Sequence, residues 1–276
     1  MIRRVYLEIT NLCNLHCLFC TPVARSGRMM SREQVAKLLP QIRSVTPYLY
    51  LHVRGEPLTH PEFEQILSLC DEAEMKVQLV TNGTLLSSYP DLFSHPSLRK
   101  LSVSLQSVQA QDLSLLSSYL DTIDHFMKQV QETGHPIMEL RFWRSDQNDL
   151  PAAVACMQFL KERYPFESTD RNHNLKLGRN LYLTYDNMFT WPDGSAVPSE
   201  TGTCHGAVHQ IAILSDGTLI PCCMDAAGVI NLGNVFETPL SELLQSERYL
   251  NMKNGFCNHQ ITEPFCRTCS FRKRFG

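Results

Sequence analysis

The chain has 276 residues, 43% hydrophobic and 19% charged, the balance of a chain that folds around a core and not of a disordered tail. A formal net charge of −3 offers no basic field to a phosphate backbone, so nucleic acid is not an expected partner. No apolar run has the length of a signal peptide or of a membrane span, which points to a cytoplasmic protein whose eleven cysteines stay reduced. Clustered thiols in such a chain read as metal or catalytic sites.

From residue 4 to about 143, short β-branched runs alternate with longer amphipathic segments, the pattern of strand-helix units around a parallel sheet. Strands are predicted at 5–10, 48–53, 76–81, 100–104 and 137–142, with a sixth at 181–184. Helices are predicted at 61–73, where Phe63, Ile66, Leu67 and Cys70 share a face, and at 111–130 and 150–163. Cys70 and Cys156 occupy apolar helical positions and read as packing residues.

The stretch 164–202 is rich in Asn, Asp, Pro, Gly and Ser and reads as a connection with little regular structure beyond the sixth strand. After it, residues 210–214 and 218–221 flank Ser215-Asp216-Gly217, a hairpin signal with Asp-Gly as the turn pair, and a short helix is predicted at 239–249. The expected division is a main domain at 1–163, a connection at 164–202 and a satellite at 203–276.

Cys13, Cys17 and Cys20 place three thiols within eight residues on a loop directly after the first predicted strand. Three thiolates leave one iron of a four-iron cubane open to another ligand, and an open iron invites chemistry. A structural zinc site is the alternative, but it wants a fourth protein ligand, for which His16 is the local substitute. Six more cysteines lie beyond residue 200: Cys204, Cys222, Cys223, Cys257, Cys266 and Cys269. Cys222 ends the hairpin and Cys266-Arg267-Thr268-Cys269 forms a knuckle, so hairpin and knuckle suit one metal site, either a cluster or zinc.

The spacing C-x3-C-x2-C at Cys13, Cys17 and Cys20, with Phe19 before the last cysteine, resembles the signature of the radical S-adenosylmethionine (SAM) superfamily. Arg54-Gly55-Glu56-Pro57 resembles that family's Gly-Gly-Glu-Pro motif, with Arg54 where glycine is usual. The resemblance implies a partial (β/α)6 barrel of the α/β class, with Glu56 holding the methionine amino group and Phe19 near the adenine. It further implies that Asn82 of Thr81-Asn82-Gly83, Ser104 before Leu105-Gln106, and Arg141 or Arg144 touch ribose or the methionine carboxylate. A guanidinium suits the bidentate grip. Asn82-Gly83 is equally explained as a turn.

The C-terminal part resembles the auxiliary-cluster region of the same superfamily, called twitch in its short form and SPASM in its longer one. The likeness rests on Cys204, on Ser215 to Cys222, on Leu232-Gly233-Asn234-Val235 and on the Cys266–Cys269 knuckle. It implies one auxiliary [4Fe-4S] cluster on Cys204, Cys222, Cys266 and Cys269, a single-cluster arrangement known from a dehydrogenase of the superfamily, leaving Cys223 and Cys257 spare.

The activity implied by the resemblance is reductive cleavage of SAM to a 5′-deoxyadenosyl radical that abstracts a substrate hydrogen atom, with electrons from a flavodoxin- or ferredoxin-type reductant. A fully ligated auxiliary cluster suits one-electron acceptance and hence oxidation. Asp225 and His205, close to Cys222 and Cys204, are candidate bases, with a turn carboxylate and a solvated histidine as the plain alternatives. Only a dozen residues precede Cys13, so no fused peptide-recognition module is expected, but peptide modification remains beside small-molecule oxidation. A non-enzymatic electron carrier or a zinc-stabilised module is the third reading, one that has no use for Glu56.

Overall fold

The computed structural model describes residues 1–20, 25–144, 151–168, 174–187, 190–192, 194 and 196–275, the side chains of 109, 144, 174 and 185–187 apart. In chain order the elements are β1 (Arg4–Leu7), α1 (Arg32–Val45), β2 (Tyr48–Tyr50), α2 (Phe63–Glu72), β3 (Lys76–Thr81), β4 (Leu98–Ser104), α3 (Leu116–Thr133), β5 (Ile137–Arg144), α4 (Pro151–Arg163), β6 (Glu167–Ser168), β7 (Asn174–Gly178), β8 (Leu181–Asn187), β9 (Gln210–Ile213), β10 (Leu219–Ile220), α5 (Leu240–Leu243), α6 (Glu247–Cys257) and α7 (Pro264–Arg267). They divide into two compact units, Met1–Leu12 with Thr21–Lys76 and Phe189–Gly276, and Cys13–Cys20 with Val77–Met188.

In the first unit β1 is flanked on both sides by parallel partners. Val5 lies opposite Leu49 of β2, and Arg4 to Leu7 run beside Gln210 to Ile213 of β9. Val5, Leu7, Leu49, Ile211 and Ile213 are fully buried on one face, and Tyr6 and Ala212 are buried on the other, so β1 and β9 are covered on both faces. β10 folds back antiparallel on β9 through the predicted turn. Gly217 takes φ +89° there, and a Cβ on it would stand 2.4 Å from Phe236, so glycine is required.

α1 is not among the predicted helices, although its start carries a readable signal. Ser31 accepts from the Gln34 N–H at 3.2 Å while the Gln34 side chain accepts from the Ser31 N–H at 2.9 Å, a capping box that stabilises a helix start by about 1 kcal/mol. The helix buries Val35, Leu38, Leu39 and Ile42 along one stripe. α2 buries Phe63, Ile66, Leu67 and Cys70, the four residues read from its periodicity.

In the second unit the order is β3-β4-β5-β8-β7-β6, with β3, β4, β5 and β8 parallel and β7 and β6 antiparallel. One face presents Val77, Leu79, Leu101, Val103, Met138, Leu140, Leu181 and Leu183, all fully buried. The other face carries Gln78, Ser102, Glu139 and Thr184, joined by hydrogen bonds. The period-2 alternation therefore assigns apolar and polar chemistry to opposite faces.

Several expectations are corrected. The stretch 164–202 contains β6 and β7 as well as β8, because the Asn- and Gly-bearing segment Asn174–Gly178 pairs with β8. The helix expected from 111 begins at Leu116, since Asp112 accepts from the Ser114 N–H at 2.9 Å and caps a separate single turn. The helix expected at 239–249 is two helices, broken where Ser246 caps α6. Strands expected to reach 10 and 53 end at Leu7 and Tyr50. The expected helix start at 150 and the side chain of Arg144 lie outside the described residues.

Candidate metal centres and cofactor site

The loop Cys13–Cys20 leaves Cys13 and Cys20 exposed and Cys17 half-buried. The Cys20 N–H donates to the Cys17 carbonyl at 3.0 Å, and the Leu15 N–H points at the Cys13 sulfur at 3.5 Å. Burial, then the neighbouring Cys20 and Cys13, push the Cys17 thiol up to about 12. Crowded thiolates of this kind are relieved by binding a cation, so this donor set fits three iron positions.

A ring of three side chains holds this loop to the end of β3. Asn82 donates to Asn14 at 2.9 Å, Asn14 donates to Thr84 at 2.8 Å, and the Thr84 hydroxyl donates back to the Asn82 carbonyl oxygen at 2.7 Å. The Asn82 amide also faces the Cys13 sulfur at 3.9 Å. Its backbone carbonyl accepts from Ser107 at 3.0 Å and Tyr119 at 3.0 Å, which fixes the strand end. Asn82 thus serves the turn and the loop together, and Asn14 and Thr84 are site residues that the motifs do not reveal. An Asn beside a cysteine, facing Thr-Asn-Gly-Thr, carries no contact signal of its own.

Ser104 ends β4 directly opposite Arg141 of β5. The Arg141 guanidinium stands 5.3 Å from the centre of the Trp143 ring, and Phe19 meets the same ring edge-on at 5.6 Å. Trp143 therefore joins Arg141 to the cysteine loop through Phe19, and it too lies outside the motifs.

In the first unit Glu56 is 2% exposed and accepts from the Leu58 N–H at 3.1 Å, capping the turn Pro57–Thr59. The Glu56 N–H donates to the Leu12 carbonyl at 2.8 Å. Gly55 has φ +76°, and a Cβ would lie 2.5 Å from the Thr10 carbonyl and 2.7 Å from that of Leu12. No other residue fits between this turn and the chain that ends at Leu12. Arg54, in place of a glycine, keeps a buried Nη1 without a hydrogen-bond partner. A buried carboxylate beside such a turn is the acceptor type that an ammonium group needs.

Cys204, Cys222, Cys266 and Cys269 line one cavity, walled mostly by Met224, Phe256, Phe265, Phe271 and Phe275, with Gln210 and Arg272 also on its lining. Burial raises the thiols of Cys222 and Cys266 far up and that of Cys204 to about 11, each reinforced by like charge from its neighbours. The Gly206 N–H donates to the Cys204 sulfur at 3.3 Å. An apolar cage lined by four thiols matches the chemistry of a cysteine-ligated cluster. Among the described residues, no three His, Cys, Asp or Glu side chains converge on a single-ion position.

Cys223 neighbours this set but packs on the apolar cluster of Tyr6, Val53, Ala212, Leu214, Ile220 and Ala226. Cys257 is exposed at the end of α6, off the cavity, while Cys70 and Cys156 are fully buried. Asp225 is wholly buried and accepts from the Val229 N–H at 2.9 Å and the Ile230 N–H at 2.8 Å. Both oxygens are committed to shaping its own loop, the turn-carboxylate role. His205 stacks on Phe275 at 4.1 Å and meets His209 at 5.2 Å; burial, then His209, Arg4 and Arg3, lowers its pKa.

Two sets of thiols on an α/β frame define an iron–sulfur protein. The profile of the Radical SAM superfamily matches residues 7–132, and that of the SPASM iron–sulfur cluster-binding domain matches 204–270. The chain therefore carries a Radical SAM domain and a SPASM domain, which imply SAM, the [4Fe-4S] cluster that binds it, and auxiliary iron–sulfur as cofactors. A probable GTP 3′,8-cyclase of Methanococcus maripaludis strain S2 is 25% identical over 304 residues, covering 96% of this chain and 97% of its own. The structure of BtrN in complex with AdoMet and 2-DOIA aligns at TM-score 0.58 and 13% identity, over 98% of this chain and 93% of that one. Streptococcus suis SuiB bound to precursor peptide SuiA aligns at TM-score 0.57 and 15% identity, over 99% of this chain and 70% of SuiB. These likenesses establish the α/β partial-barrel fold of radical SAM enzymes. Among the described residues no helix is long and apolar enough to cross a membrane.

Proposed function

We propose that this radical SAM enzyme oxidises its substrate, with Cys13, Cys17 and Cys20 holding the SAM-binding cluster and Cys204, Cys222, Cys266 and Cys269 holding one auxiliary [4Fe-4S] cluster. The observation that carries the reading is the mostly apolar cavity lined by four thiols, a full ligand set that would leave an auxiliary cluster no open iron for substrate and suit it to one-electron acceptance. Bound at the first site, SAM supplies a 5′-deoxyadenosyl radical able to take a hydrogen atom from an unactivated carbon.

In this reading, drawn from the family's motifs, the cofactor-binding residues bind and orient. Glu56 takes the methionine ammonium, Ser104 and Arg141 take its carboxylate and the ribose edge, and Phe19, held by Trp143, covers the adenine. Asn82 fixes the cysteine loop through Asn14. With both Asp225 oxygens engaged, His205 is the remaining candidate proton acceptor.

A second reading is cyclisation of a nucleoside triphosphate, favoured by the full-length alignment with a probable GTP 3′,8-cyclase. A third is peptide modification, the class of substrate bound in the complex of SuiB with SuiA. The experiment is anaerobic turnover by the reconstituted enzyme with reductant and SAM, offered in turn deuterated polyols, GTP and candidate peptides. Deuterium transfer into 5′-deoxyadenosine with a substrate product two hydrogens lighter supports oxidation. A cyclised product of unchanged oxidation level from GTP overturns it.

A further inference from the structure

Glu8 is a carboxylate immediately after β1, and it is 0% exposed between Leu7 and Ile9, which are also 0% exposed. A buried charge is tolerated only when its hydrogen-bonding capacity is filled, and here it is. One Arg25 guanidinium nitrogen lies 2.8 Å from each Glu8 oxygen. Oε1 also accepts from the Ser215 N–H at 3.2 Å and the Ser215 hydroxyl at 3.1 Å, and Oε2 accepts from the Arg54 N–H at 3.1 Å. Arg25 in turn donates through Nε to the Ala226 carbonyl at 2.9 Å.

These partners come from three segments with distinct jobs. Arg25 lies five residues beyond Cys20, Arg54 immediately precedes Gly55-Glu56, and Ser215 and Ala226 belong to the SPASM domain, either side of Cys222. We infer that Glu8 is a positioning residue through which the auxiliary-cluster domain sets the Arg54-Gly55-Glu56 turn and thereby the affinity for SAM. Gly55 has no slack: it is wedged against the Thr10 and Leu12 carbonyls. A shift of the Arg54 N–H is therefore passed directly to Glu56. The inference rests on the reading that Glu56 grips the methionine ammonium.

The test compares reconstituted Glu8→Gln, Ser215→Ala and Glu56→Gln enzymes by equilibrium SAM binding, iron content and the rate of SAM cleavage at saturating SAM. Glu8→Gln preserves shape but sets an amide against Arg25 or Arg54. It is expected to weaken SAM binding about tenfold or more, with full iron and a cleavage rate within about threefold of wild type at saturation. Ser215→Ala, which lies in the SPASM domain and removes one hydroxyl, should weaken SAM binding by about threefold, and the double variant should be no worse than Glu8→Gln alone. Unchanged SAM affinity in both variants, with only the melting temperature lowered, overturns the inference. If Glu56→Gln also binds SAM as wild type does, the assignment of Glu56 is what fails, and the inference falls with it.

Discussion

Asn82 donates its side-chain amide to Asn14 at 2.9 Å, so the end of β3 holds the cysteine loop by a side chain placed between Cys13 and the rest of the trio. Thr84 closes the ring by hydrogen bonds of 2.8 and 2.7 Å to the same two residues. Substituting Asn82 by alanine leaves two polar partners unmatched and removes the amide facing the Cys13 sulfur. Asn82→Ala is expected to cost about 1–3 kcal/mol of loop order, read as a ~10-fold or larger fall in SAM cleavage with lowered iron occupancy of the first cluster. Asn82→Asp, which keeps the acceptor and loses the donor to Asn14, should behave similarly. Iron analysis beside nucleoside release checks both.

Cys204, Cys222, Cys266 and Cys269 share one cage, whereas Cys257 lies off it on the surface. Replacing any two of the four by alanine should remove about four irons per chain and stop substrate turnover while leaving some uncoupled SAM cleavage. Cys257→Ala should keep both the iron and the turnover. A loss of iron with Cys257→Ala would redraw the ligand set.

Asp225 caps the N–H groups of Val229 and Ile230 from full burial. Asp225→Asn keeps one acceptor oxygen, so a fall in stability of about 1–2 kcal/mol is expected, with no displacement of the pH profile of turnover. A variant that folds with full iron but loses an ionisation from that profile would identify Asp225 as the base after all.

Glu139 sits on the polar face of β5. Burial opposes its ionised form, but Lys100 at 3.0 Å, Thr184 at 2.7 Å and Ser102 at 2.8 Å outweigh it and hold the carboxyl below its ordinary range. A folded-state pKa below the unfolded value of ~4.3 stabilises the fold above that value, and the contribution disappears as pH falls through the folded pKa. Glu139→Gln should therefore lower the melting temperature at pH 7 by roughly 3–8 °C, with the gap to wild type narrowing below about pH 4. Thermal melts across that range decide it.

The chemistry of this chain is legible where it is written locally. Three cysteines in eight residues, an Asp-Gly turn between two strands and the Phe63, Ile66, Leu67, Cys70 stripe each need only short-range spacing to be read. α1 is equally local, with Ser31 and Gln34 three apart, but Pro40 stands inside it as a helix-breaking signal that disguises the helix. β7 is hidden for another reason: Asn174 and Gly178 have turn chemistry, and only pairing with β8 makes the segment a strand. Glu8 and Ser215 are 207 residues apart, and nothing along the chain announces that a buried carboxylate just after one strand accepts hydrogen bonds from a turn so distant. Asp225 shows a second limit: its place three residues beyond Cys222 is legible in the sequence, whereas the hydrogen bonds to the Val229 and Ile230 N–H groups are not.

The most direct measurement is electron paramagnetic resonance of the reduced enzyme, with and without SAM, in a variant lacking the four auxiliary cysteines so that only the first cluster contributes. An open iron held by Cys13, Cys17 and Cys20 predicts a clear change of the signal when SAM is added, and loss of the signal when those three are also replaced by alanine. A signal indifferent to SAM, or one that persists without the three thiols, would refute the open-iron assignment.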